Sequence, residues 1–136
     1  MTYFCRHFKI EELVDPTILK EKGAAACWDL LSERAVMALD MLRDDLGSLT
    51  VNGVFNGQTF TESGLRRKDT ATGAKLSQHK EGTAFDIKSK THTAEQIREH
   101  IRKNHARLGI TRIEVLTPTW THFDCKVAPL LEVPFK

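Results

Sequence analysis

Long apolar runs, paired cysteines, a leader segment and an excess of one charge sign are all scarce or missing in this chain of 136 residues. The longest apolar-leaning stretch, Ala35 to Leu42, is interrupted by Asp40 and falls far short of the ~20 residues a membrane-spanning helix needs. The first eight residues hold no basic stretch followed by an apolar run, so cytoplasmic synthesis without a signal peptide is expected, and membrane insertion is not. Cys5, Cys27 and Cys125 are three in number with no Cys-x-x-Cys, which predicts free thiols rather than a disulfide framework or a thiolate metal site. Lys and Arg total 20 against 18 Asp and Glu, and a net charge of +2 does not by itself call for nucleic acid as a partner. Linkers, repeats and low-complexity segments are missing too. A single domain over residues 1–136 is expected, acting as a monomer.

What is present reads as an α+β chain. Leu31, Ala35, Ala38, Leu39, Leu42 and Leu46 recur at spacings of three and four, predicting an amphipathic helix over Ser32 to Leu46 that stops at Gly47. Thr93-Ala94-Glu95-Gln96 is a capping box that opens a second helix, with Ile97, Ile101 and Leu108 as its apolar stripe and Gly109 as its end. Leu49–Val51 and Thr83–Ile87 read as short strands. Arg112–Leu116 and Trp120–Asp124 flank Thr117-Pro118-Thr119 as a hairpin, so a small antiparallel sheet packed against helices is expected.

The chemistry concentrates in Ser77-Gln78-His79-Lys80-Glu81-Gly82-Thr83-Ala84-Phe85-Asp86. Gly82 allows a turn after His79, and a strand following it folds Asp86 back toward the imidazole. Strand alternation puts Ala84 and Asp86 on one face, and Ala84 leaves space beside the carboxylate for an ion. The terminal hairpin offers a third ligand in His122. With the hairpin centred on Pro118, Glu114 lies directly across from His122, within reach of a water on the same metal. Two neutral imidazoles and one carboxylate leave Zn2+ with an open position, which suits water activation near neutral pH. A nearby carboxylate then moves the proton, and a fixed cation, for which Arg66 is the candidate, holds an oxyanion or a substrate carboxylate.

Ser77-x-His79-x-x-Gly82-x-Ala84-x-Asp86, the upstream Ser63-Gly64-Leu65-Arg66 and the terminal Trp120-Thr121-His122-Phe123-Asp124 together resemble the zinc D-Ala-D-Ala carboxypeptidase family. That family includes phage endolysins that cut L-alanyl–D-glutamate bonds, and the Hedgehog signalling domain shares its fold. The resemblance implies a Hedgehog-type fold, zinc held by His79, Asp86 and His122, and the peptide stem of peptidoglycan as substrate. It further implies a hydrolase of the endolysin or virion-associated type, acting on the cell wall after release or as part of a virion. Arg66 matches the arginine of the family's Ser-Gly-Tyr-Arg motif, with Leu65 in place of the tyrosine. Many relatives carry a glutamate three residues before the last zinc histidine or a histidine two before it, where this chain has Thr119 and Trp120. The general base is therefore assigned from the hairpin register to Glu114, with Asp124 as the second choice or as a residue that orients a ligand.

Two other readings compete. A zinc-binding module without catalysis, structural or interacting within a virion, needs the same three ligands and no base. Nucleic-acid binding is suggested by Lys88, Lys90, Arg98, Arg102, Lys103 and Arg107 with His92, His100 and His105, but this stretch lacks interleaved aromatics and reads as a solvated helix face. Trp28 and Trp120 read as packing residues, and Trp120 is also placed to wall a cleft. Ser77 is expected to hydrogen-bond its own loop.

Overall fold

A computed structural model describes residues 3–67, 79–126 and 131–134. Among these residues the chain forms an α+β structure with four α-helices, a two-stranded antiparallel sheet and a four-stranded mixed sheet. Helix α1 (Pro16–Lys22) starts where the Asp15 carboxylate accepts from the Thr17 amide and Pro16 supplies a ready-made helical φ. Helix α2 (Ala24–Leu30) follows directly. Helix α3 (Glu33–Leu46) is capped by the Ser32 hydroxyl on the Ala35 amide and buries Ala35, Ala38, Leu39, Leu42 and Leu46 of the predicted stripe, with Val36 in addition. Helix α4 (Ala94–Leu108) opens with the Thr93/Gln96 capping box and ends at Gly109.

Asp40, which interrupts the apolar stretch of α3, is fully buried. Its carboxylate accepts from the Tyr3 hydroxyl at 2.6 Å and from the backbone amides of Arg6 and His7 at 2.7 and 3.1 Å, tying the N-terminal segment to the helix. A buried carboxylate is tolerated when donors surround it in this way.

Strands β1 (Gly53–Phe55) and β2 (Gln58–Phe60) form a hairpin that the sequence reading missed. Its two-residue turn, Asn56-Gly57, has positive φ at both positions, the geometry that matches the twist of paired strands. Leu49–Val51 is not a strand as expected; there Thr50 makes an isolated bridge to Lys88. The larger sheet runs β3 (Ala84–Ile87), β5 (Thr121–Asp124), β4 (Arg112–Val115), β6 (Leu131–Pro134). Its first three strands are antiparallel, but β6 lies parallel to β4, so the expected antiparallel sheet is corrected to a mixed one. The reason is an extra edge strand: a chain leaving β5 skips over β4 and pairs with its far side, and only the hairpin itself carried a sequence signal. Phe85 and Phe123 face each other across β3 and β5 and join Ile87, Ile113, Ile97, Ile101, Leu39 and Leu42 in one core. The residues alternating with them, Asp86 and His122, are thereby turned to the opposite face of the sheet.

Candidate metal centre

Two close backbone approaches shape the site before any ligand is considered. The segment Ser63-Gly64-Leu65-Arg66 runs beside Leu13–Asp15, with the Leu65 amide donating to Leu13 O at 2.8 Å and the Asp15 amide to Leu65 O at 2.9 Å. A Cβ on Gly64 would stand 2.1 Å from the Leu13 carbonyl oxygen, so no larger residue fits without moving this strap. Gly82 takes φ +76° in the turn after His79, and a Cβ there would lie 2.3 Å from Leu30 O. These contacts place His79 beside β3. Across the sheet, register sets Asp86 opposite His122 and Ala84 opposite Asp124.

Three ligand atoms converge. His79 Nε2 lies 3.1 Å from Asp86 Oδ1 and 3.1 Å from His122 Nδ1, and His122 Nδ1 lies 3.0 Å from Asp86 Oδ1. The other nitrogen of each imidazole is occupied. His79 Nδ1 donates to Gly64 O at 3.1 Å, and His122 Nε2 donates to Asp124 Oδ2 at 3.0 Å. A ring whose second nitrogen holds its proton in this way presents a lone pair at the first, the usual arrangement of a metal-ligating histidine. Tetrahedral zinc bonds of roughly 2.0–2.1 Å separate neighbouring ligands by about 3.3 Å, so the triangle need open by only a few tenths of an ångström. Both histidines are buried, and the Asp86 side chain keeps 14% exposure. His79, Asp86 and His122 can hold a metal ion.

The surrounding charges act on the three ligands in different directions. Burial alone would raise the Asp86 carboxyl, but His79 and His122 outweigh it and hold the group below the usual carboxylate range. Burial lowers the His79 imidazole, with Asp86 pulling the other way. His122 feels burial as well, yet Asp124, Asp86 and Glu114 together raise it to about 9. Asp124 is fully buried and also accepts from Arg112 Nε at 2.8 Å; these contacts lower its carboxyl against the effect of burial.

Glu114 lies where the hairpin register puts it. Arg112 pairs with Asp124 and Ile113 with Phe123, and the same register one residue on sets Glu114 against His122. Its Oε1 is 3.8 Å from His122 Nδ1, on the ligand side of the ring, and the side chain is 28% exposed. Asp124 sits at the opposite nitrogen. Arg66 is buried, with Nε donating to Glu62 O at 2.6 Å and Nη2 to Asp86 Oδ2 at 3.3 Å, so it braces the ligand carboxylate. All six residues singled out in the sequence are thus gathered around one point. Ser77 and most of the loop before it lie outside the described residues.

Sequence reasoning missed two partners of the ligands. One is the Gly64 carbonyl, which no side-chain motif reveals. The other is Arg112, legible in principle because the register that pairs Glu114 with His122 also pairs Arg112 with Asp124. The basic stretch is corrected in part: Lys88 and Arg98 are buried rather than solvated. Arg98 donates to the Thr117 hydroxyl at 2.7 Å, Arg102 bridges Glu95 and Glu132, and Arg107 and His100 share Asp45. Trp120 is half-buried and Trp28 packs against the core. Compared with models of known protein families, with curated proteins and with solved structures, the chain matches none of them.

Proposed function

We propose that this chain is a zinc-dependent peptidase that hydrolyses an amide bond in the peptide stem of bacterial peptidoglycan, an endolysin or virion-associated enzyme of phage type. The observation that carries the reading is the convergence of His79 Nε2, Asp86 Oδ1 and His122 Nδ1 within 3.1 Å of one another, with Glu114 3.8 Å from the last. Two imidazoles and one partly exposed carboxylate match the three-ligand set of a catalytic zinc site, which leaves the fourth position to water. The substrate class is supported by the resemblance of the His79–Asp86 block, Ser63–Arg66 and Trp120–Asp124 to zinc D-Ala-D-Ala carboxypeptidases and L-alanyl–D-glutamate endopeptidases. The α+β frame, with Asp86 and His122 on adjacent antiparallel strands, is compatible with the Hedgehog-type fold of that family.

Bound zinc supplies Lewis acidity that makes water a nucleophile near neutral pH and polarises the scissile carbonyl. Glu114, partly exposed beside the ligands, takes a proton from the attacking water and returns it to the leaving amine as the C–N bond breaks. Asp124 is buried behind His122, so its part is to hold that ring and its proton. Arg66 secures Asp86 through Nη2, and its positive charge beside the ligand carboxylate is the candidate partner of a substrate carboxylate or oxyanion.

The test uses purified protein with one equivalent of zinc on purified peptidoglycan, with products identified by mass spectrometry beside EDTA-treated and zinc-restored samples. Metal-dependent release of defined muropeptides is expected and would name the bond. Stoichiometric zinc binding without cleavage of murein from several wall types would overturn catalysis and leave a metal-stabilised virion module.

A further inference from the structure

We propose that Lys88 is a positioning residue of the metal centre, acting through Ser63 to hold the strap that orients two of the three ligands. Lys88 has this role only if the three ligands hold a metal, as proposed above. Its side chain is almost completely buried, two residues beyond Asp86. Nζ donates to Val51 O at 2.7 Å and to the Ser63 hydroxyl at 2.8 Å, and sits 3.8 Å from the centre of the Phe60 ring. Burying an ammonium is costly, and an apolar chain of the same length would fill this space without the desolvation. What the ammonium adds is direction. It fastens the end of β3, itself bridged to Thr50 by two backbone hydrogen bonds of 2.9 Å, to the turn at Val51 and to the strap at Ser63.

Ser63 is the point where this fastening reaches the ligands. Its amide donates to Asn52 Oδ1 at 2.9 Å, and Asn52 Nδ2 donates onward to Val14 O at 3.1 Å, so the strap is held on both sides by buried polar groups. The Ser63 carbonyl accepts the Asp86 amide at 2.7 Å. The next carbonyl, Gly64 O, takes the His79 Nδ1 proton, and Arg66 reaches Asp86 Oδ2. A shift of the strap at Ser63 therefore displaces the partners of His79 and Asp86 together, while His122, held by Asp124, stays in place.

The experiment measures cobalt(II) binding to metal-free protein by chelator competition and records the visible ligand-field spectrum. It compares wild type, Lys88→Met, Ser63→Ala and the double variant, with folding checked by circular dichroism. Each single change is expected to weaken cobalt binding about tenfold and alter the ligand-field bands, the low end of what partners of metal ligands contribute. The double variant should be no weaker than the worse single, because both changes cut the same link. Folded variants with cobalt affinity and spectrum like wild type would overturn the role of Lys88, even if both melt earlier. Fully additive losses would overturn the route through Ser63. If Lys88→Met does not fold, Ser63→Ala alone decides by the same two readouts. Wild type that binds no cobalt would overturn the metal centre itself, a failure distinct from the others.

Discussion

Replacing Asp124 by Asn probes the site most sharply, because the structure assigns two opposing effects to one carboxylate. Asp124 Oδ2 accepts the His122 Nε2 proton at 3.0 Å, and the Asn amide can imitate the shape of that contact but not its charge. Without the carboxylate His122 is a weaker and less firmly oriented ligand, a change that typically weakens metal binding about 10–100-fold. Against this stands proton competition. His122 is raised to about 9 in the metal-free protein, with Asp124, Asp86 and Glu114 all raising it against burial. At pH 7 the Nδ1 proton must be displaced some two pH units below that value, which costs about 3 kcal/mol of metal affinity. Removing Asp124 relieves part of this penalty, while Asp86 and Glu114 keep the rest.

The two effects oppose each other at neutral pH, and only the loss remains once His122 is neutral. The assay is zinc affinity by chelator competition from about pH 6 to about pH 9.5. Wild-type affinity should climb about tenfold per pH unit, as expected when one proton leaves on binding, and level off near the His122 pKa of about 9. The Asp124→Asn curve should be flatter, nearer to wild type at neutral pH than at the alkaline end, where it lies about 10–100-fold below. Parallel curves would refute the claim that Asp124 sets the protonation of His122. Equal affinity at the alkaline end would refute its orienting role.

Three further outcomes are expected. Glu114→Gln should lower muropeptide release about 10²–10⁴-fold while zinc affinity stays near wild type; undiminished turnover would remove Glu114 as the base. Gly64→Ala places a Cβ 2.1 Å from Leu13 O, so the strap must move; a stability loss of about 1–3 kcal/mol in thermal melts and weaker zinc binding should appear together. The metal-free protein should be most stable near the ordinary histidine pKa of 6.5 in urea titrations. His122, raised when folded, contributes stability that is full below 6.5 and lost as pH rises through about 9, whereas His79, lowered when folded, contributes stability lost as pH falls below 6.5. A stability curve flat across this window would contradict both environments.

Local signals in the chain were sufficient wherever the controlling interaction was local. The capping box at Thr93, the apolar stripe from Ala35 to Leu46 and the stop at Gly109 are readable because each depends on neighbours within one or two helical turns. The placement of Glu114 near His122 was also legible, since a short hairpin makes register a matter of counting from its centre. The Asn56-Gly57 hairpin carries an equally local turn signal, but strands of three residues each are too short to show an alternating pattern.

Sequence by itself therefore determined which side chains have ligand chemistry, and which of them share a strand or a turn. Tertiary structure alone decided how those side chains are protonated and held. The Gly64 carbonyl on His79, Arg112 behind Asp124 and Lys88 against Ser63 join segments far apart in the chain, and no periodicity reports such contacts. The same holds for β6, whose parallel pairing with β4 reflects the free edge left by the hairpin rather than any pattern within Leu131–Pro134. A metal site needs both levels: donor atoms are a property of residue types, but a lone pair aimed at one point exists only when the fold has fixed where each proton goes.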